Sequence, residues 1–169
     1  MNVPVLEFRE AIAGDETVLF PMMRALAEQE PGAIAFDESA TRLAFRQFLS
    51  LPAFGRVWLI YDGAAPIGYI ILTMGFSFEF RGHDAFIDEL YIVPARRRRG
   101  CGREAMAFVE QAAREMGVNA IHLEVESGNH RALELYRHTG YKDHQRLLMT
   151  KWLNRVIQGA SGCAYEREV

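Results

Sequence analysis

The residues best suited to bind an anion lie between Glu89 and Met106, in the stretch ELYIVPARRRRGCGREAM. An apolar strand ends at Pro94, four arginines follow, and Gly100 and Gly102 stand at the start of a predicted helix. The free N–H groups in the first turn of a helix point at an anion, and the helix dipole favours negative charge there. Glycines let the backbone approach a pyrophosphate closely, and arginines add bidentate contacts to its oxygens. The pattern therefore predicts a site for a cofactor held by its pyrophosphate.

Three familiar binding patterns match this stretch less well. A dinucleotide-binding fingerprint needs a third glycine where Ala105 stands, and a Walker loop needs a Lys-Ser/Thr pair that the stretch lacks. A nucleic-acid arm is disfavoured because the chain has a formal net charge of -3 and a pI of about 6.0, with no aromatic stacking platform beside the arginines. On this stretch alone, a solvated basic loop that precedes a helix by chance stays open.

The stretch also resembles the acyl-CoA-binding motif of the GNAT superfamily of N-acetyltransferases, R/Q-x-x-G-x-G/A, which here runs from Arg97 to Gly102. The resemblance implies that backbone N–H groups and arginine side chains of this loop hold the CoA pyrophosphate. It also implies that Leu90 and Ile92 offer backbone groups to the pantetheine arm. A backbone N–H near Tyr91 or Ile92 would stabilise the oxyanion. The implied acetyl-CoA-binding residues are Leu90, Tyr91, Ile92, Arg97, Arg98, Arg99, Gly100, Cys101, Gly102, Arg103, Asn129 and Tyr136.

A second motif lies downstream in NHRALELYRHTGY, which is similar to the N-x-x-A-x-x-L-Y-x-x-x-G-F/Y signature of the same superfamily. Asn129 and Tyr136 are seven residues apart, about two turns of helix, so both are expected to face one ligand. By the resemblance, Tyr136 is the general acid that protonates the departing CoA thiolate. Asn129 is expected to cap the helix and to contact CoA. Cys101 is expected to pack rather than to act as a nucleophile.

The attacking amine must lose a proton, because an alkylammonium has no lone pair and a pKa of about 10. A carboxylate, acting directly or through water, is the usual base. Asp88 and Glu89 lie on the strand before the arginine loop, and a resemblance to polyamine-acetylating members favours Asp88. Neighbours on a regular strand face opposite sides, but a β-bulge expected in this region keeps Glu89 in contention. Glu124 and Glu126 on the next strand are second-rank candidates.

The elements that must position these residues follow from hydrophobic periodicity. The predicted order is β-α-α-β-β-β-α-β-α-β, with the last one or two strands in YKDHQRLLMTKWL. Asp15 is a possible N-cap of the first helix, and Pro21 predicts a kink in it or a division into two shorter helices. Asp62 and Gly63 predict a hairpin turn.

Three phenylalanines, Phe76, Phe78 and Phe80, are expected to alternate on one strand. They are expected to pack in the core or against a partner, or to form an aromatic wall of the acceptor pocket.

These elements predict one α/β domain of the GNAT type at 1–153, followed by a tail at 154–169. The expected sheet is mixed, with helices on both faces and strands splayed around the cofactor. No membrane-length apolar run, no signal peptide and no disulfide framework is found, which favours a cytoplasmic protein. The scattered histidines predict no metal site. Homodimerisation is expected from the resemblance.

The function that follows is transfer of an acetyl group from acetyl-CoA to a primary amine by direct attack. A small amine, a polyamine or a lysine-like acceptor is favoured. The alternatives are a protein or peptide N-acetyltransferase of the same fold, a longer acyl donor, or a non-catalytic module that binds CoA or nucleic acid.

Overall fold

The protein is described by a computed structural model that covers residues 6–29, 34–144, 146–151 and 153 of the 169-residue chain. The predicted elements up to the fourth helix are present, in the predicted order. Strands β1 to β5 are Leu6–Glu10, Gly55–Asp62, Ala65–Ser77, Gly82–Ile92 and Ala120–Leu123. Helices α1 to α4 are Glu16–Ala27, Glu38–Ser50, Cys101–Glu115 and His130–His138.

The five strands form one mixed sheet in the order β1-β2-β3-β4-β5. Neighbours from β1 to β4 are antiparallel, and β5 runs parallel to β4. The Asp62-Gly63 turn closes the β2–β3 hairpin, and Gly63 takes the left-handed φ of 60° that such a turn requires. The β4–β5 ladder covers only Asp84 to Ile87, so the rest of β4 runs on without β5 beside it. The expected splay of the strands lies at this point.

Helices cover both faces of the sheet. Helices α1 and α2 pack on one face against a core that includes Leu19, Phe45, Leu59 and Tyr69. Helices α3 and α4 pack on the other face, where Met106 and Val109 of α3 are fully buried. Because cross-strand neighbours such as Val57, Ile71 and Glu89 share a face, the sheet register decides which side chains meet α1 and α2.

The first helix differs from its prediction. One helix runs through Pro21, so a division into two helices is wrong. Pro21 is exposed, where its ring meets solvent rather than the sheet. Asp15 precedes the helix, but its carboxylate makes no cap hydrogen bond. It binds the Arg9 guanidinium at 2.7 and 3.1 Å and accepts from the backbone N–H of Ile12 at 2.8 Å.

The predicted last strands are absent from the described residues of 141–153. Leu147, Leu148 and Met149 are three consecutive apolar residues, which cannot alternate between two faces, and all three are at least 71% exposed. Arg146 fixes this segment to the β3–β4 turn by two hydrogen bonds to Glu79, at 2.8 and 2.9 Å. The predicted tail, 154–169, lies outside the described residues.

The phenylalanine strand is also shorter than predicted, because β3 ends at Ser77. Phe78 and Phe80 lie in the turn that follows, in which Arg81 has a φ of 58°. Phe78 is 91% exposed, whereas Phe80 packs against the His122 ring at 4.8 Å. Across the described residues, no helix has both the length and the apolar character to span a membrane.

Candidate active site

A β-bulge lies on β4 at the two candidate bases. Ile71 of β3 pairs with Glu89, but the next residue, Leu72, pairs with Ile87, so Asp88 is the extra residue on β4. A bulge sets two residues of one strand against one residue of its partner and re-aims their side chains. Asp88 and Glu89 consequently line the same cavity, on the face covered by α1 and α2. The alternation of a regular strand would have allowed only one of them to do so.

The two carboxylates have different surroundings. The Tyr69 hydroxyl, which belongs to a fully buried side chain of β3, donates a 2.6 Å hydrogen bond to Glu89 Oε2. Asp88 is exposed to solvent but lies in a concave part of the surface, where the surrounding protein displaces part of its hydration. This desolvation raises the pKa of Asp88 above the ordinary aspartate value, because burial disfavours the charged form.

The edge of β4 beyond the bulge carries the backbone groups that the resemblance assigns to pantetheine. The N–H of Val93 donates to Ile67 O at 2.8 Å, which places the amide of Val93 on the β3 side. Backbone groups alternate along a strand, so Tyr91 also points its amide toward β3, whereas Leu90 and Ile92 point theirs to the opposite edge. That edge faces the cleft between β4 and the segment after β5.

The four arginines of the loop have separate environments. Arg96 forms an ion pair with Asp62 at 2.7 Å. The Arg97 guanidinium donates to Ile92 O at 2.7 Å and to Gln29 Oε1 at 2.8 Å, and its Cζ lies 5.4 Å from the centre of the Tyr91 ring. Arg98 and Arg99 are exposed.

The glycines fit the turn into α3. Gly100 has a φ of 88°, a left-handed conformation that a side chain would strain, and it precedes the first residue of the helix. A Cβ on Gly102 would come within 3.2 Å of Leu135 Cδ2, so this glycine lets α4 approach the start of α3. Cys101 is buried in the core, where desolvation raises the pKa of its thiol, and Arg103 is exposed.

Helix α4 presents the second motif. The Asn129 side chain accepts a hydrogen bond from Ala132 N at 3.1 Å, as an N-cap does. Tyr136 is half-buried and packs against the α3 side of the core, with its ring centre 6.1 Å from that of Tyr141. Burial and the nearby Glu110 raise the pKa of Tyr141.

Two cavities meet at the bulge. The larger, of about 1600 Å³, lies between β4, the segment after β5 and α4, and its lining includes Leu90, Asn129 and Tyr136. The smaller, of about 240 Å³, lies between the sheet and helices α1 and α2. Among the described residues, Asp88 and Glu89 are the two that line both. The larger cleft also takes in Glu124 and Glu126, but the loop from Arg97 to Arg103 lies outside its lining.

The sequence did not indicate Tyr69 or the residues of the smaller cavity other than Asp88 and Glu89. Tyr69 stands opposite Tyr91 in the β3–β4 ladder, and their rings stack at 6.0 Å. A strand tyrosine is ordinary in a core, so its type alone gives no signal. The amphipathic pattern of α2 could have indicated the cavity, because Phe45 and Phe48 on the apolar side of this helix line it.

Comparison with known proteins decides the family. The sequence model of the Acetyltransferase (GNAT) family matches residues 20–141. The chain belongs to this family. The matched span contains the bulge, the glycine turn and Tyr136, and this GNAT protein is accordingly an acetyltransferase enzyme.

Individual relatives agree with this assignment. The GNAT protein is 26% identical over 148 residues to thialysine N-epsilon-acetyltransferase of Bos taurus, an alignment that covers 80% of this chain and 83% of the relative. An integron cassette protein from the mobile metagenome of Cole Harbour Salt Marsh superposes with a TM-score of 0.77 at 32% identity, over 90% of this chain and 93% of that one. A predicted acetyltransferase of Clostridium acetobutylicum, solved with acetyl-CoA, shares the fold with a TM-score of 0.70 at 17% identity, over 87% of this chain and 96% of that one.

Proposed function

We propose that this GNAT protein transfers the acetyl group of acetyl-CoA to the primary amine of a small molecule by direct attack. The observation that carries the proposal is the position of Asp88 and Glu89, which line both cavities. A donor in the larger cleft and an amine in the smaller cavity would meet at these carboxylates. The nitrogen would attack the thioester carbon, the C–S bond would break, and the products would be an acetamide and CoA thiol.

The residues on the donor side fit acetyl-CoA. At Gly100 a Cβ would meet no atom within 4 Å, so the N-terminus of α3 is accessible there. The first N–H groups of the helix have no partner within it and suit the pyrophosphate. Arg98 and Arg99 are the exposed arginines of the loop and would bind the phosphates. The edge amides of Leu90 and Ile92 would hold the pantetheine arm in the manner of an added strand.

Asp88 would be the base. A raised pKa makes a carboxylate a stronger proton acceptor, and Asp88 would take the ammonium proton directly or through one water. Glu89, oriented by Tyr69, would supply negative charge that attracts the cationic amine. An edge amide of β4 near Ile92 would donate to the oxyanion of the tetrahedral intermediate.

Tyr136 would be the acid. It lines the larger cleft with Leu90 and the two carboxylates, and a phenol there can protonate the departing thiolate. The ammonium loses two protons in the transfer. Asp88 would accept the first, and the second, which leaves the nitrogen of the tetrahedral intermediate, would replace through water the proton that Tyr136 gives to the thiolate, so that one proton is released for each acetamide formed. No covalent intermediate on the protein is required.

The proposal is tested by measuring thiol release and acetylated product with acetyl-CoA and a panel of small amines. Thermal unfolding with and without acetyl-CoA is measured in parallel, since a bound donor stabilises the folded state. We expect stabilisation by acetyl-CoA and release of one thiol for each amine acetylated. The proposal is overturned if neither acetyl-CoA nor a longer acyl-CoA stabilises the protein, or if no amine is acetylated.

A further inference from the structure

The side chains that line the smaller cavity indicate which kind of amine it could bind, which the sequence alone did not. Its floor is a row of cross-strand neighbours, Glu89 on β4, Ile71 on β3 and Val57 on β2. Adjacent strands lie about 4.8 Å apart, so the row extends about 10 Å from a carboxylate at one end to an apolar side chain at the other. Ile71 and Val57 are 6% and 1% exposed, so the accessible part of the floor lies at its β4 end, and a ligand would have its charged end there and its chain against the helical wall.

The helical wall of the cavity is apolar. Met23 of α1 and Phe45 and Phe48 of α2 close it from above, and Val57 is 1% exposed. Besides the carboxylates of Asp88 and Glu89, the polar groups in the described lining are the hydroxyls of Thr41 and Thr73. Within that lining, the negative charge therefore lies at the β4 end alone, on Asp88 and Glu89.

Ion pairs join the two helices that form the wall. Glu16 of α1 is 6% exposed, and its carboxylate accepts hydrogen bonds from Arg42 and Arg46 of α2, the latter at 2.8 Å. Arg42 also binds Glu38 at 2.8 Å. These pairs balance the charges of Arg42 and Arg46 and tie α2 to α1, so that the phenylalanines of α2 lie over the floor.

We propose that the acceptor is a monocationic primary amine on an apolar chain or ring, rather than a polyamine or an amino acid. This inference rests on the proposed function. A cavity of about 240 Å³ is smaller than the roughly 300–1,000 Å³ of pockets for drug-sized ligands, which suits one short aliphatic chain or one aromatic ring. A second ammonium would lie among the apolar side chains of this lining, away from Asp88 and Glu89, and burying a charge against apolar groups without a partner is costly.

A matched pair of amines tests this directly. Hexylamine and diaminohexane have the same chain and differ by one ammonium group, and phenylethylamine replaces the chain by a ring. We expect kcat/KM to be about 100-fold higher for hexylamine than for diaminohexane, because the second charge loses its hydration. Phenylethylamine is expected to resemble hexylamine, and lysine to resemble diaminohexane.

A pair of variants tests whether the acceptor binds in the smaller cavity. Ala44 lines the cavity from α2 at an exposed position, so Ala44→Asp adds a carboxylate to the wall without burying it. Leu43, its neighbour, is 73% exposed and lies outside the lining, which makes Leu43→Asp the matched control. We expect Ala44→Asp to raise the ratio of kcat/KM for diaminohexane to that for hexylamine about tenfold, and Leu43→Asp to leave the ratio unchanged.

The outcomes separate this inference from the proposed function. Turnover of diaminohexane or lysine that equals or exceeds that of hexylamine overturns the inference and leaves amine acetylation standing. An equal change of the kcat/KM ratio in Ala44→Asp and Leu43→Asp also overturns the inference, since the long-range effect of the added charge would then explain both changes. Absence of thiol release from every amine overturns both.

Discussion

The hydroxyl of Tyr69 donates a 2.6 Å hydrogen bond to Glu89 Oε2 from a side chain that solvent does not reach. The bond holds the Glu89 carboxylate at the wall between the two cavities. Asp88, the bulged neighbour, has instead a pKa raised by desolvation. Two adjacent carboxylates thus acquire different properties, one a fixed orientation and the other a higher basicity, and the bulge aims both into the smaller cavity.

The first prediction separates the two carboxylates. We expect Asp88→Asn to lower kcat by about 10²-fold to 10⁴-fold, because a general base contributes that much, while acetyl-CoA affinity is kept. Glu89→Gln should act mainly on KM for the amine, because it removes charge while an amide oxygen can still accept from Tyr69. The measurement is steady-state kinetics with one amine at saturating acetyl-CoA. A larger loss of kcat in Glu89→Gln than in Asp88→Asn would contradict these assignments and indicate that Glu89 is the base.

The second prediction concerns the arginine run. Arg98→Ala and Arg99→Ala should each raise the Kd of acetyl-CoA about tenfold, since each removes one charge-assisted contact to phosphate. Arg96→Ala is the control. Because Arg96 is paired with Asp62, this substitution is expected to leave the Kd of acetyl-CoA nearly unchanged. Calorimetric titration with acetyl-CoA gives these values. Equal losses in all three variants would mean that general positive charge, rather than the two exposed arginines, holds the donor.

The third prediction links stability to pH through Asp15, whose side chain is 12% exposed. The Arg9 guanidinium lowers the pKa of Asp15 in the folded state below the ordinary 3.8. The stabilisation is therefore complete above the unfolded-state pKa and is lost as the pH falls through the folded-state pKa. We expect Asp15→Asn to cost about 1.5–3 kcal/mol of unfolding free energy at neutral pH, and less below pH 3.8.

Urea unfolding of the wild type and the variant across this pH range measures the effect. Glu79→Gln is the control, because the Glu79–Arg146 pair is solvent-exposed and such pairs contribute little. A loss in Asp15→Asn that is the same at every pH would show that packing, rather than the ion pair, stabilises this turn.

The sequence was most informative where a residue type is dictated by backbone chemistry. Gly100 needs a left-handed φ, Gly102 permits the close approach of Leu135, and Asn129 caps α4, so the motifs that contain them could be recognised from the sequence. The bulge was expected, but its consequence for Asp88 and Glu89 depends on the pairing with Ile71 and Leu72, which a single strand does not encode.

The remaining differences arise from tertiary contacts. The apolar run at Leu147 indicated a strand, yet in the described residues it is exposed beside an Arg146–Glu79 pair. The smaller cavity could not be predicted because its floor and wall come from distant parts of the chain, with Val57 and Phe48 meeting only in the folded protein. Homodimerisation and a cytoplasmic location stay predictions.

The most direct test of the proposed mechanism is Tyr136→Phe, measured as kcat together with the Kd of acetyl-CoA. Tyr141→Phe is the matched control: Tyr141 also lines this cleft, but its hydroxyl is buried, and phenylalanine also occurs at this motif position. We predict that Tyr136→Phe lowers kcat by about 10²-fold to 10⁴-fold with the Kd nearly unchanged, and that Tyr141→Phe keeps kcat within about twofold. Equal loss of kcat and of acetyl-CoA affinity in Tyr136→Phe, or full activity in that variant, would contradict the assignment of Tyr136 as the general acid.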